Sequence, residues 1–176
     1  MSEPKRPIIN LSEAKVTSGS SGRHFAYSMS ELSAGLGASA IGANVTRVPP
    51  GKAAFPIHHH RVNEEHFFIL SGTGVLRLGA HTYEVRVHDY IVMPPGGPEL
   101  AHQFINTGDE DLVYLAISTM IIPEVVGYPD SLKTGVRIAT GRDPEARFLI
   151  DDQHKNTRTY WEGEDGGQVA AIVDRY

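Results

Sequence analysis

The chain has 176 residues, 40% of them hydrophobic and 21% charged, with a formal net charge of −5, which fits one soluble domain with a single buried core. That charge supplies no basic field, so nucleic acid is excluded as the main partner. The absence of cysteine removes disulfides, thiolate metal ligands and a cysteine nucleophile together. No apolar core follows the charges of "MSEPKRPIIN" and no run of 18 apolar residues occurs, so no membrane association and a cytoplasmic location are expected.

With 18 glycines and 11 prolines, tight turns are favoured over long helices. Residues 1–37, rich in Ser and Gly around "TSGSSG", read as an N-terminal arm with one short helix near "SMSELSAGL". From 38 to 126 the pattern becomes short β-branched or aromatic runs cut by turn residues: "AIGANVTRV", "EEHFFILSG", "GVLRLG", "HTYEVRV", "DYIVMPP", "AHQFIN" and "DLVYLAIST". The turns "SGTG", "LGAH" and "NTGDED" carry the Gly and Asx residues that positive φ and side-chain turn bonds require. Seven such strands, with no helical period between them, make a meander or a closed barrel and an all-β fold. Residues 127–176 form a polar, irregular C-terminal extension. Its apolar residues Phe148, Leu149, Ile150, Tyr160 and Trp161 are available to pack on the barrel or on a neighbouring subunit.

The chemistry concentrates in "PIHHHRVNEEHFFILSG". Residues two apart in a strand share a face, so His58 and His60 project together and His59 projects away. In the next strand Glu65, Phe67 and Ile69 share a face. Glu64, His66 and Phe68 take the other, so Glu65 looks into the barrel if Phe67 and Ile69 do. His102 and Phe104 share a face of a later strand. Three neutral imidazoles and one carboxylate suit one divalent transition metal ion (Zn, Mn, Fe or Ni), with coordination positions left for water or substrate. By the same alternation Glu64, His59 and His66 are outward or interface residues. His81 and His88 fall in turns, and His24 and His154 lie outside the barrel.

These spacings resemble the two motifs of the cupin superfamily. Gly51 is followed by six residues, where the family has five, then His58-x-His60, four residues, Glu65, six residues and Gly72. The second motif is met by Pro94-x-Gly96, His102 and Asn106, with five residues between Gly96 and His102 where the family has two. His88 stands at that motif's opening glycine, so the "HD" turn must adopt a conformation that usually favours Gly. The resemblance covers residues 44 to 120. It implies a double-stranded β-helix, or jelly-roll, barrel with His58, His60, Glu65 and His102 as metal ligands; the longer Gly96–His102 segment becomes a loop at the barrel mouth, and Asn106 supports the turn after its strand.

The same barrel serves many activities, so the site must decide. The leading expectation is a metal-dependent isomerase of a sugar or sugar phosphate, similar to mannose-6-phosphate-isomerase-like cupins. In such an enzyme the ion polarises a carbonyl and a base shuttles a proton through an enediol. An Fe(II) dioxygenase and a non-enzymatic small-molecule-binding module are the alternatives. For substrate contacts Arg47, Tyr83 and Tyr114 are the candidates, with Lys52 and Arg61 also flanking the first motif where a phosphate could be met. A small-molecule substrate and a homodimer are the expected partners, since a small barrel leaves apolar outer surface to cover.

Overall fold

The computed structural model describes residues 6–139 and 147–151. Thirteen strands are present in it: β1 (Val16–Ser21), β2 (Phe25–Glu31), β3 (Ile41–Val48), β4 (His59–His60), β5 (Glu65–Ser71), β6 (Thr73–Leu78), β7 (His81–Arg86), β8 (Tyr90–Met93), β9 (His102–Ile105), β10 (Leu112–Thr119), β11 (Glu124–Tyr128), β12 (Lys133–Arg137) and β13 (Arg147–Asp151). Among the described residues the helical segments are single 3-10 turns, and no helix is long and apolar enough to cross a membrane.

All seven strands expected between 38 and 126 form. They close as the jelly-roll, double-stranded β-helix barrel and not as a meander. One sheet runs β1-β2-β3-β10-β5-β8, the others β7-β6-β9 and β13-β12-β11-β4. Strands β5 and β6 are consecutive but pair with β10 and β8, and with β7 and β9, respectively. Gly72 makes this change of sheet possible: its φ is +78°, and a Cβ there would strike the Asp111 carbonyl. Backbone bridges Ala53–Ile105 and His58–His102 join the sheets across the barrel.

The core follows the strand alternation. Phe67 and Ile69 of β5, Leu76 of β6, Phe104 of β9 and Leu112 and Tyr114 of β10 are buried in one cluster. Three of its rings pack together, Phe67 against Phe104 at 4.9 Å and Tyr114 against Phe104 at 4.8 Å between centroids. This aromatic floor lies directly under His102, whose ring is 5.6 Å from Phe67.

Two parts of the fold differ from expectation. Residues 16–31, read as an arm with a helix near 28–36, instead form the β1–β2 hairpin, which extends the large sheet through β3, with a 3-10 turn at Ala34–Leu36. Tyr27 of β2 packs on Phe55 at 4.7 Å, so aromatic packing and sheet pairing outweigh the weak strand propensity of the Ser and Gly residues. The C-terminal extension is also regular at its start, where β11 pairs with β4 and β12, and β12 with β13. Arg77 on β6 holds the β11–β12 turn by a bidentate bond to Asp130, at 2.6 and 2.8 Å. Tyr160, Trp161 and His154 lie outside the described residues.

His88 does take a positive φ, +76°, in the β7–β8 turn, whereas His81 opens β7 and is not a turn residue. Asn106 is fully buried and ties down the turn after β9, donating to the Val48 and Glu110 carbonyls and accepting from the Gly108 amide.

Candidate metal centre

His58 and His102 face each other because their backbones exchange two hydrogen bonds, His58 N–H to His102 O at 3.2 Å and His102 N–H to His58 O at 2.8 Å. Directly opposed residues of an antiparallel pair share a face, and the two rings lie 4.8 Å apart. His60 comes two residues after His58 on that face, its ring 5.1 Å from that of His58. Across the barrel, β5 directs Glu65 inward with Phe67 and Ile69, so His58 just before β4, His60 in it, Glu65 of β5 and His102 of β9 converge.

They converge on one atom. Glu65 Oε2 lies 3.0 Å from His102 Nε2, 3.2 Å from His60 Nε2 and 3.9 Å from His58 Nε2. One ligating atom from each of His58, His60 and Glu65 falls within 4.8 Å of the others, the spacing of a shared ion. The Nδ1 atoms of His58 and His102 approach the Pro56 and Leu100 carbonyls at 2.9 and 3.3 Å. A carbonyl only accepts, so each Nδ1 carries a proton; the neutral His58 ring then has its Nε2 lone pair free for an ion, whereas His102 Nε2, 3.0 Å from Glu65 Oε2, donates to that carboxylate until an ion displaces its proton. Both His60 nitrogens are buried without a well-formed hydrogen bond, their polar neighbours being the Glu65 and Glu124 carboxylates at 3.2 and 3.8 Å, so an ion would supply the partner this ring lacks.

Electrostatics agree with this donor set. Burial, reinforced by the neighbouring His102, depresses the His58 pKa to about 4, so its ring is neutral near pH 7. Burial alone would raise Glu65, but His102 and His60 overcome it and hold the group as a carboxylate well below its ordinary range. For His60, burial acts to lower the pKa, and the Glu65 carboxylate outweighs it and raises it.

Behind His60 stands Glu124, a residue the sequence reading passed over. It is 3% exposed, and its carboxylate accepts the backbone N–H groups of Arg61, Val62 and Asn63 at 3.1, 3.3 and 2.9 Å, as well as the Asn63 side chain. Its Oε2 is 3.8 Å from His60 Nδ1. Asn63 in turn accepts from Ile121 N and Thr119 Oγ1, at 2.7 and 2.9 Å. The loop between the two ligand strands is therefore pinned to the β10–β11 connection.

The centre opens on a cavity of about 510 Å³. One wall carries Asn44, Thr46 and Tyr114, where the Thr46 hydroxyl donates to Asn44 Oδ1 at 2.8 Å and hydrogen-bonds with Tyr114. Burial raises the Tyr114 pKa, so its phenol stays neutral. At the mouth stand Tyr128, Lys133 and Arg147 from β11, β12 and β13. These too were missed, because nothing in a polar tail marks which of its charges a hairpin will fold back over the barrel.

The other expected site residues sort differently. Tyr114 is in the cavity wall, but Arg47 points out of the barrel and pairs with Asp111 at 3.3 Å, since Thr46 takes the inward position of β3. Tyr83 is half exposed on β7, away from the lining. Lys52 Nζ is bonded to the Arg23 carbonyl at 2.5 Å, and Arg61 borders a separate cavity of about 300 Å³. His66 and Glu64 do face outward, Nε2 to Oε1 at 2.7 Å, with Tyr90 on Nδ1. His59 does not. It is 5% exposed, bonded through Nδ1 to the Gly96 carbonyl at 3.0 Å and seated against Gly127, where a Cβ would overlap its ring. The 96–101 loop and β11 cover the outer side of β4, which alternation alone does not reveal.

Comparison with known proteins gives a consistent picture. Residues 44–118 match the family model of the cupin domain (Cupin_2). An uncharacterised protein of Methanocaldococcus jannaschii is 35% identical over 71 residues, 40% of this chain and 54% of the relative, so the chain spans about half the length of the curated relative it matches. Among solved structures, a protein of Acidithiobacillus ferrooxidans provisionally named a sugar phosphate isomerase superposes with a TM-score of 0.65 at 27% identity, over 76% of this chain and 80% of the other. A sugar phosphate isomerase of the cupin superfamily from Silicibacter pomeroyi superposes with a TM-score of 0.73 at 22% identity, over 84% and 94%, which shows the shared fold.

Proposed function

From the premise that residues 44–118 are a cupin domain, we propose that the protein is a metal-dependent isomerase of a sugar or sugar phosphate. The observation that carries the reading is the convergence of three imidazole Nε2 atoms on Glu65 Oε2 at the base of a cavity with a hydroxyl- and amide-lined wall. The likeness to the Acidithiobacillus ferrooxidans protein supports the reaction class. His58, His60, Glu65 and His102 would hold one divalent ion, which supplies Lewis acidity to a substrate carbonyl and its neighbouring hydroxyl when bound. Asn44, Thr46 and Tyr114 offer polar groups to a polyhydroxylated chain, and the neutral Tyr114 phenol, whose O–H is directed to Thr46, presents its oxygen as an acceptor. The floor of Phe67 and Phe104 keeps water from the buried side of the ligands.

The reading is tested by supplying aldose and ketose phosphates to the metal-loaded protein and following exchange of the α-proton with deuterated water by NMR. Exchange is expected for at least one of them. Oxygen consumption without exchange would reverse the assignment in favour of an oxygenase.

Metal uptake should also release protons. His60 is raised above its ordinary value of 6.5, so at pH 6.5 more than half of the rings carry a proton that the ion must displace. Calorimetric titration with Zn²⁺ in buffers of different ionisation enthalpy is expected to show this release at pH 6.5, and no release there would contradict His60 as a ligand.

Self-association belongs to the same proposal. Strand β13 is at the edge of its sheet among the described residues, with Phe148, Leu149 and Ile150 all exposed. An apolar edge of this kind favours pairing with a second copy. Light scattering at micromolar concentration should give the mass of a dimer, and a monomer would contradict it.

A further inference from the structure

We infer that Tyr128, Lys133 and Arg147 form a subsite for a phosphate group, so that the substrate is a phosphorylated one. This deepens the isomerase reading and rests on it. The three residues come from β11, β12 and β13, beyond the segment 44–118 that matches the cupin domain.

The geometry places the subsite at one ring's distance from the metal centre. The Tyr128 ring stacks on His58, with centroids 6.1 Å apart and planes inclined by 30°. Its hydroxyl receives Arg147 Nη2 at 2.6 Å. Lys133 Nζ stands 5.8 Å from the same ring's centroid. One tyrosine therefore touches a candidate ligand with its face and orients a guanidinium with its hydroxyl, and all three side chains line the cavity mouth.

Among the described residues neither Lys133 nor Arg147 is paired with a carboxylate, whereas Arg77 and Arg47 are. On a chain of net charge −5 these two cations stand about one tyrosine ring, with Asp151 opposite Lys133 in the β12–β13 register. Such a pair at the mouth of a low-dielectric cavity attracts an anion and holds it there. A guanidinium anchored on one nitrogen keeps other N–H donors for a phosphate oxygen, and an ammonium adds a point charge beside it. The Arg77–Asp130 bond fixes the β11–β12 turn, so Tyr128 and Lys133 are held in place before ligand arrives.

The probe for the test is inorganic phosphate, titrated by calorimetry at low salt into the full-length, Zn²⁺-loaded protein. Its variants are Lys133→Gln, Arg147→Gln, His102→Ala and the control Arg86→Gln, which changes an exposed residue of β7. Saturable binding is expected in the wild type and the control, weakened at least about tenfold in Lys133→Gln and Arg147→Gln, as removal of a charge-assisted hydrogen bond implies. Zinc content should be unchanged in both. His102→Ala should lose zinc yet still bind phosphate, which separates this proposal from the metal assignment. The proposal is overturned if phosphate does not saturate, if the two rim variants bind like wild type, if only His102→Ala loses phosphate, or if acetate binds as tightly. Zinc absent from the wild type with phosphate binding intact would instead overturn the isomerase reading and leave the subsite standing.

Discussion

His102→Ala is expected to lower affinity for a divalent ion at least about 100-fold, more than the 10–100-fold that loss of an outer-sphere partner costs. Two effects add. The variant removes one of three nitrogens, and it also removes the 3.0 Å contact to Glu65 Oε2 that helps hold that group as a carboxylate. His60→Ala should match it, because Nε2 of His60 is 3.2 Å from the same oxygen. His66→Ala, next to Glu65 in the chain but facing Glu64 and Tyr90 outside the barrel, should bind the ion as wild type does. Competition with a chromophoric chelator measures all three. Equal affinity in wild type and His102→Ala would remove His102 from the centre.

The second large effect falls on stability. Glu124→Ala leaves the Val62 amide and the buried Asn63 amide without their acceptor, while Arg61 N–H keeps the Val125 carbonyl and the Asn63 side chain keeps the Ile121 carbonyl. A loss of about 2–4 kcal/mol follows, the lower end applying where water reaches the exposed Val62. Glu124→Gln keeps one acceptor oxygen but turns an amide NH₂ toward donors, so it should lie between alanine and wild type. Urea denaturation of metal-free protein reads these costs without help from ligand binding. Because the same loop joins His60 to Glu65, Glu124→Ala should also weaken ion binding, although Glu124 is not a ligand.

What was legible in the sequence was what depends on period and spacing. Alternation gave the seven barrel strands, the inward face of β5 and the pairing of His58 with His60. The offset from Glu65 to Gly72 fits a corner where only glycine clears the Asp111 carbonyl. His59 was misjudged because alternation tells which side a residue faces but not whether a loop and β11 cover that side. Arg47 was misplaced for the converse reason: its strand runs beside the cavity, but Thr46 holds the inward position. Glu124, Tyr128, Lys133 and Arg147 come to the site through the pairing of β11 with β4, segments far apart in the chain, with β12 and β13 then added to β11 in order. The hairpin β1–β2 was hidden by its Ser and Gly content, which local propensity reads as an arm.

The most direct test of the account is elemental analysis of the wild-type protein, purified without chelator or histidine tag, beside His58→Ala and His102→Ala prepared in the same way. One divalent transition metal ion per chain is expected in the wild type and a clear deficit in both variants. Wild type without stoichiometric metal, or variants that retain it fully, would contradict the assignment of His58, His60, Glu65 and His102 as a metal centre.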